Sequence, residues 1–147
     1  MNVSMNPELP TGKTGNDYHQ TLAMADFEIE AGHLELHAEG AHNIWQTPFV
    51  GDLKTNGGYV ELKYSLPFGT FIAGRADALR FGEITDSLGV KRTWDANMSR
   101  GEAGIGYRFD RHVQGKIVYQ HTELVYPRDV DPIEKLHLLA MQVSIAF

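Results

Sequence analysis

From Leu139 to the last residue, every second position is large and apolar: Leu139, Met141, Val143, Ile145 and Phe147. The positions between them are Ala140, Gln142, Ser144 and Ala146, all small or polar. A period of two puts successive side chains on opposite sides of an extended backbone, so this stretch reads as a strand with two chemically different faces. A chain built from such strands must give the two faces two different surroundings.

The same alternation recurs upstream. In 20–30, Ala25, Phe27 and Ile29 oppose Asp26, Glu28 and Glu30. In 33–45, Leu34, Leu36, Ala38, Gly40 and Ile44 alternate with His33, Glu35, His37, Glu39 and Asn43. In 58–66, Val60, Leu62, Tyr64 and Leu66 alternate with Tyr59, Glu61, Lys63 and Ser65. In 70–81, Ile72, Gly74, Ala76 and Ala78 share a face opposite Arg75 and Asp77. Leu79 and Phe81 then fall out of phase, which predicts a bulge near Ala78. Strands over 96–109 and 113–124 follow, with Glu102, Arg108 and Lys116 on their polar faces. The final strand makes about seven in all.

The connections alternate in length: short at 31–32, 67–69 and 110–112, long at 46–57, 82–95 and 125–133. Pro, Gly and Asn mark them, Asn56-Gly57 most clearly. Residues 1–18, with Pro7, Pro10, Gly12 and Gly15, read as a loop, and 19–147 as one all-β unit. No helix-period segment stands out.

Composition removes several function classes. Lys and Arg number 13 against 19 Asp and Glu, a net charge of −6 with no basic patch, which argues against a nucleic-acid partner. With no Cys there is no disulfide framework or thiolate metal site. No run of eighteen apolar residues exists, so no transmembrane helix is expected. A strand crosses a membrane with only about 9–11 residues, of which alternate ones are apolar, and the mean hydropathy of −0.30 is compatible with that. The first ten residues lack the basic and apolar regions of a signal peptide, so an export signal is expected to lie outside this chain.

The terminal Leu139-Ala-Met-Gln-Val-Ser-Ile-Ala-Phe147 and the hairpin 104–119 resemble the C-terminal part of Gram-negative outer-membrane porins. The resemblance covers roughly residues 20–147. It implies an antiparallel, up-and-down transmembrane β-barrel in the bacterial outer membrane, passing small hydrophilic solutes or ions. It also implies that Met141, Val143, Ile145 and Phe147 form the signal read by the barrel-assembly machinery. Outer-membrane lipid and that machinery are then the partners, and a homo-oligomer, a trimer, is compatible with it. With short turns in the periplasm, the 1–18 loop falls on the outer side. Seven strands with an outside N-terminus do not make a complete bacterial barrel. The chain therefore reads as the C-terminal fragment of a larger one.

In that arrangement the polar faces line the lumen. The expected pore-lining residues are Glu28, Glu30, His33, Glu35, His37, Glu39, Glu61, Lys63, Arg75, Asp77, Glu102, Arg108 and Lys116. The first two strands make an acidic wall and the later ones a mixed to basic wall, which would tune ion selectivity. The competing account of the same residues is a solvated sheet face with no selective role.

His33, Glu35 and His37 do not predict a metal site. Residues two apart on a strand lie roughly 6.6 Å from each other, and a linear row cannot surround one ion. Trp45, Tyr64, Phe68, Phe81, Trp94, Tyr107, Phe109, Tyr119, Tyr126 and Phe147 fall mostly near strand ends, as interfacial aromatic girdles would. No Gly-x-Ser-x-Gly, phosphate-binding loop or His-Glu-x-x-His is present, so neither an enzyme nor a cofactor is expected. Two rivals stay open: a soluble all-β sandwich or lipocalin-like binding module, and a non-channel barrel acting through its long loops.

Overall fold

The computed structural model describes residues 14, 17–48, 51–85, 89–127 and 133–146. The chain is all-β. Seven strands form one antiparallel sheet in the order β1 (Gln20–Ala31), β2 (Leu34–Thr47), β3 (Gly51–Ser65), β4 (Thr70–Phe81), β7 (Asn97–Arg108), β8 (Val113–Val125) and β9 (Ile133–Ile145). A small hairpin, β5 (Glu83–Thr85) and β6 (Lys91–Thr93), stands apart from it. Each long strand pairs with its neighbours in sequence, so the sheet is a meander. Its outer strands, β1 and β9, each pair on one side only among the described residues, and the sheet is open. The expected 1–18 loop falls almost wholly outside the described residues, as does Phe147.

Three expectations about the strands are corrected. Much of the long connection expected at 46–57 is strand: β2 runs to Thr47, β3 begins at Gly51, and Asp52 to Asn56 pair with Gln46 to His42. Asn56-Gly57 is therefore extended backbone and makes no turn. Gly58 serves close approach, because a Cβ there would sit 2.8 Å from the Glu39 carbonyl oxygen on β2. There is also no bulge near Ala78. The β3–β4 pairing runs unbroken from Thr55 opposite Phe81 to Ser65 opposite Phe71. Leu79 and Phe81 thus lie on the same face as Arg75 and Asp77. Third, the 82–95 loop contains β5 and β6. The Gly82 amide donates to the Lys54 carbonyl at 2.8 Å, and the Trp94 indole N–H donates to the same carbonyl at 2.9 Å. Phe81 meets Trp94 edge-on at 4.6 Å between ring centroids, fastening the small hairpin beside β3.

The turns at the opposite end are tight. Gly32-His33 joins β1 to β2, with Gly32 at φ 64. A single 3-10 turn over Pro67–Gly69 joins β3 to β4. Within it Phe68 has φ 64, a left-handed conformation uncommon for a bulky residue, and its side chain is 93% exposed. Between β7 and β8 the Asp110 carboxylate accepts the amides of His112 and Val113 at 2.6 and 3.0 Å, closing the turn by a side-chain mimic of backbone pairing.

Candidate functional site

Because the register is continuous, residues of one chemistry line up in rows across the sheet. One row reads Ile29, Leu36, Leu62, Gly74, Ala103, Tyr119, Leu139. The next reads Ala31, Leu34, Tyr64, Ile72, Ile105, Ile117, Met141. On the other face a row runs Glu28, His37, Glu61, Arg75, Glu102, Gln120, and another Asp26, Glu39, Tyr59, Asp77, Arg100, Thr122.

The two faces differ in exposure against the usual rule. Along β3, β4 and β7 the apolar face is open: Val60, Leu62, Ile72 and Ile105 are 50%, 45%, 47% and 53% exposed. The charged face is the sheltered one. The Asp77 side chain is 9% exposed, Lys63 24% and Glu102 25%. The most enclosed side chains, Phe71 and Thr122, also stand on it.

The sheltered face carries a connected set of charges. Asp77 Oδ2 accepts from Arg100 Nε at 2.9 Å and lies 3.4 Å from Arg75 Nε. Arg75 reaches Glu61 at 3.8 Å, and Arg100 reaches Glu102 at 3.5 Å. The Arg75 guanidinium lies 3.7 Å over the Tyr59 ring, a favourable contact with the negative face of the π system. Tyr59 in turn meets the His37 ring edge-on at 5.3 Å. Lys63 Nζ donates to both Glu35 oxygens at 2.9 Å and sits 5.5 Å over the Phe71 ring. Glu61, Lys63, Phe71, Arg75, Glu102 and Lys116 border a hollow of about 200 Å³. Phe71 fits because residue 106 is glycine: a Cβ on Gly106 would lie 2.1 Å from its ring.

Most of the residues expected to line a pore are brought together here: Glu35, His37, Glu39, Glu61, Lys63, Arg75, Asp77 and Glu102. Glu28 and Glu30 lie on the same face but at the open edge, on β1. Lys116 reaches the hollow, while Arg108 is exposed at the end of β7. His33 is a correction. It sits in the β1–β2 turn and packs edge-on against Tyr64, a residue of the apolar face, at 6.2 Å. The two-residue turn takes it out of the strand alternation. Arg100 and Tyr59 are central to the network and were missed. Each shares strand parity with an acid expected on the polar face, Arg100 with Glu102 and Tyr59 with Glu61, and the same alternation could have found them. Met141, Val143 and Ile145 stand on the apolar face of β9, at 78%, 59% and 65% exposure.

Toward the end of the strands away from the tight turns, the two faces exchange character. The face that is apolar at mid-strand there carries His42, Asn56, Arg80, Ser99, Glu123 and Lys135. The face that is charged at mid-strand carries Met24, Leu79, Met98 and Leu124 in one row, with Leu22 and Phe81 beyond. Arg80 closes this region by donating to the Met98 carbonyl and, at 2.8 Å, to Ser99 Oγ. No family model, curated protein or solved structure matches the chain.

Proposed function

We propose that the chain is the C-terminal part of an outer-membrane, porin-like β-barrel that passes small hydrophilic solutes or ions passively. The observation that carries this reading is the inverted exposure of the two faces. In water, a sheet that leaves residues such as Ile29, Leu62, Tyr119 and Leu139 open while sheltering Asp77, Arg75 and Arg100 forgoes its main source of stability. With lipid against the apolar face and water against the charged one, both are well solvated. The meander and the tight turns at one end also favour it, as do Phe68, Tyr107 and Phe109 near that end, where an interfacial girdle would lie.

In this reading the network around Asp77 is the working lining. Closely spaced acids and bases hold fixed fields in a sheltered space and sort solutes by charge. Closure of the barrel is supplied by strands beyond β1. Outer-membrane lipid, the barrel-assembly machinery and a homotrimeric state belong to the same proposal. The test is folding by medium. The chain is expected to stay unfolded in buffer and to become folded and heat-modifiable in gel mobility in detergent or lipid vesicles. Brominated lipids should then quench Tyr fluorescence from the apolar face. A cooperative fold in plain buffer, with no lipid quenching, would support the soluble all-β module instead. Discrete conductance steps from the complete barrel in planar bilayers would then separate a channel from a closed barrel.

A further inference from the structure

We propose that the open edge of β1 is built to receive an extended, basic strand: one with Lys or Arg at alternate positions and apolar residues between them. Two independent features of that edge converge on the same three residues.

The first is backbone pairing. The Gln46 amide donates to the His19 carbonyl at 3.0 Å. In an antiparallel pair, bonded and non-bonded positions alternate, so odd-numbered residues of β1 bond to β2. The even-numbered ones, among them Asp26, Glu28 and Glu30, turn their N–H and C=O groups to the open edge. Such groups are a template for another strand.

The second is charge. The rows of the sheltered face set acids against bases across the sheet, Glu35 against Lys63 and Glu61 against Arg75. At β1 the rows end without an answer. Glu30 lies opposite Glu35 and Asp26 opposite Glu39, like charges directly across from each other, and Glu28 lies opposite His37. Asp26, Glu28 and Glu30 have no ion-pair partner among the described residues. A strand bonded to their backbones would place its facing side chains beside these three carboxylates, on the same face of the sheet. Its intervening side chains would join Phe27 and Ile29 on the apolar face.

A second copy of this chain does not supply that strand. Two β1 edges would set carboxylates against carboxylates. The β9 edge offers Leu136, Leu138, Ala140 and Gln142 on the sheltered face, none of them basic. This inference goes beyond the channel reading and does not need it, because it rests on the edge alone.

The experiment uses the folded chain, in whichever medium it folds, and three labelled peptides of about eleven residues, the length of one spanning strand. They share alternating Val and Ile and differ only at three alternate positions, which are Lys, Glu or Thr. The Lys peptide is expected to bind roughly tenfold or more tightly than the Glu peptide, with Thr between them. It should slow hydrogen exchange at the amides of Asp26, Glu28 and Glu30. The combined Asp26→Asn, Glu28→Gln, Glu30→Gln variant is expected to lose the preference while keeping the Thr peptide's affinity. Equal binding of the Lys and Glu peptides would overturn the proposal. So would slowed exchange at Met141 and Val143, on the β9 edge, in place of β1. Folding in buffer without detergent would count against the membrane reading yet leave these comparisons readable.

Discussion

Val60, Leu62 and Ile105 are half exposed on one face of this sheet, whereas on the other face the carboxylate of Asp77 is nine-tenths covered and shared by two arginines. The two faces are made of the same strands, one residue out of step. Their contrast teaches that burial here does not follow hydrophobicity: Asp77 is sheltered between two arginines while apolar side chains one residue away stand open. A reader who sorts residues into core and surface by polarity alone would turn this molecule inside out.

The contrast is broken most severely by putting a charge on the open face. Leu62→Arg and Ile105→Lys are each expected to cost about 2–4 kcal/mol of folding stability in lipid vesicles if they stand near mid-bilayer. Measured by urea titration, no loss would mean that this face meets water. The next largest effect concerns the packing that shelters the charged face. Gly106→Val forces a side chain into the Phe71 ring and should destabilise by about 1–3 kcal/mol. Phe71→Ala in the same chain should recover part of that, and a double-mutant cycle would show the coupling. Additive losses would mean that the contact does not hold the wall together.

The charged network comes third. Asp77→Asn removes the negative charge that Arg75 and Arg100 share. A loss of about 1–2 kcal/mol is expected, in line with a charge-assisted hydrogen bond. If the proposed barrel conducts, its reversal potential should move toward anion preference, since a negative charge leaves and two positive ones stay. The smallest effect is expected at the rim. Lys63→Gln breaks a partly exposed pair with Glu35, worth under about 1 kcal/mol and fading as salt rises. A larger, salt-independent loss would place Lys63 in a drier setting than its 24% exposure indicates.

How far this could be read in advance depended on position along the strands. At mid-strand, alternation of residues such as Glu61-Leu62-Lys63 gave the same two faces that the register shows. Beyond the level of Gly57 the same rule failed. There the open face takes Lys54, Asn56 and Arg80 while the sheltered face takes Leu79 and Phe81, so a single polarity rule read the first part of β3 as loop and the end of β4 as a bulge. His33 failed for a local reason, since a two-residue turn breaks parity. The hairpin made by β5 and β6 gave no apolar alternation to read. Its placement comes from Trp94 and the Lys54 carbonyl, a contact between distant parts of the chain.

The exchange of character between the faces also measures depth. β3 has 15 residues, a contour of about 50 Å, and at the usual tilt it rises about 35–40 Å, more than the roughly 25 Å apolar band of an outer-membrane barrel. On the proposed orientation the surplus stands clear of the lipid as a wettable chimney with an oily throat of Met24, Leu79, Met98 and Leu124. A solute entering from that end would pass these apolar side chains, with Glu134 of the same row beside Leu124, before reaching the pairs around Asp77.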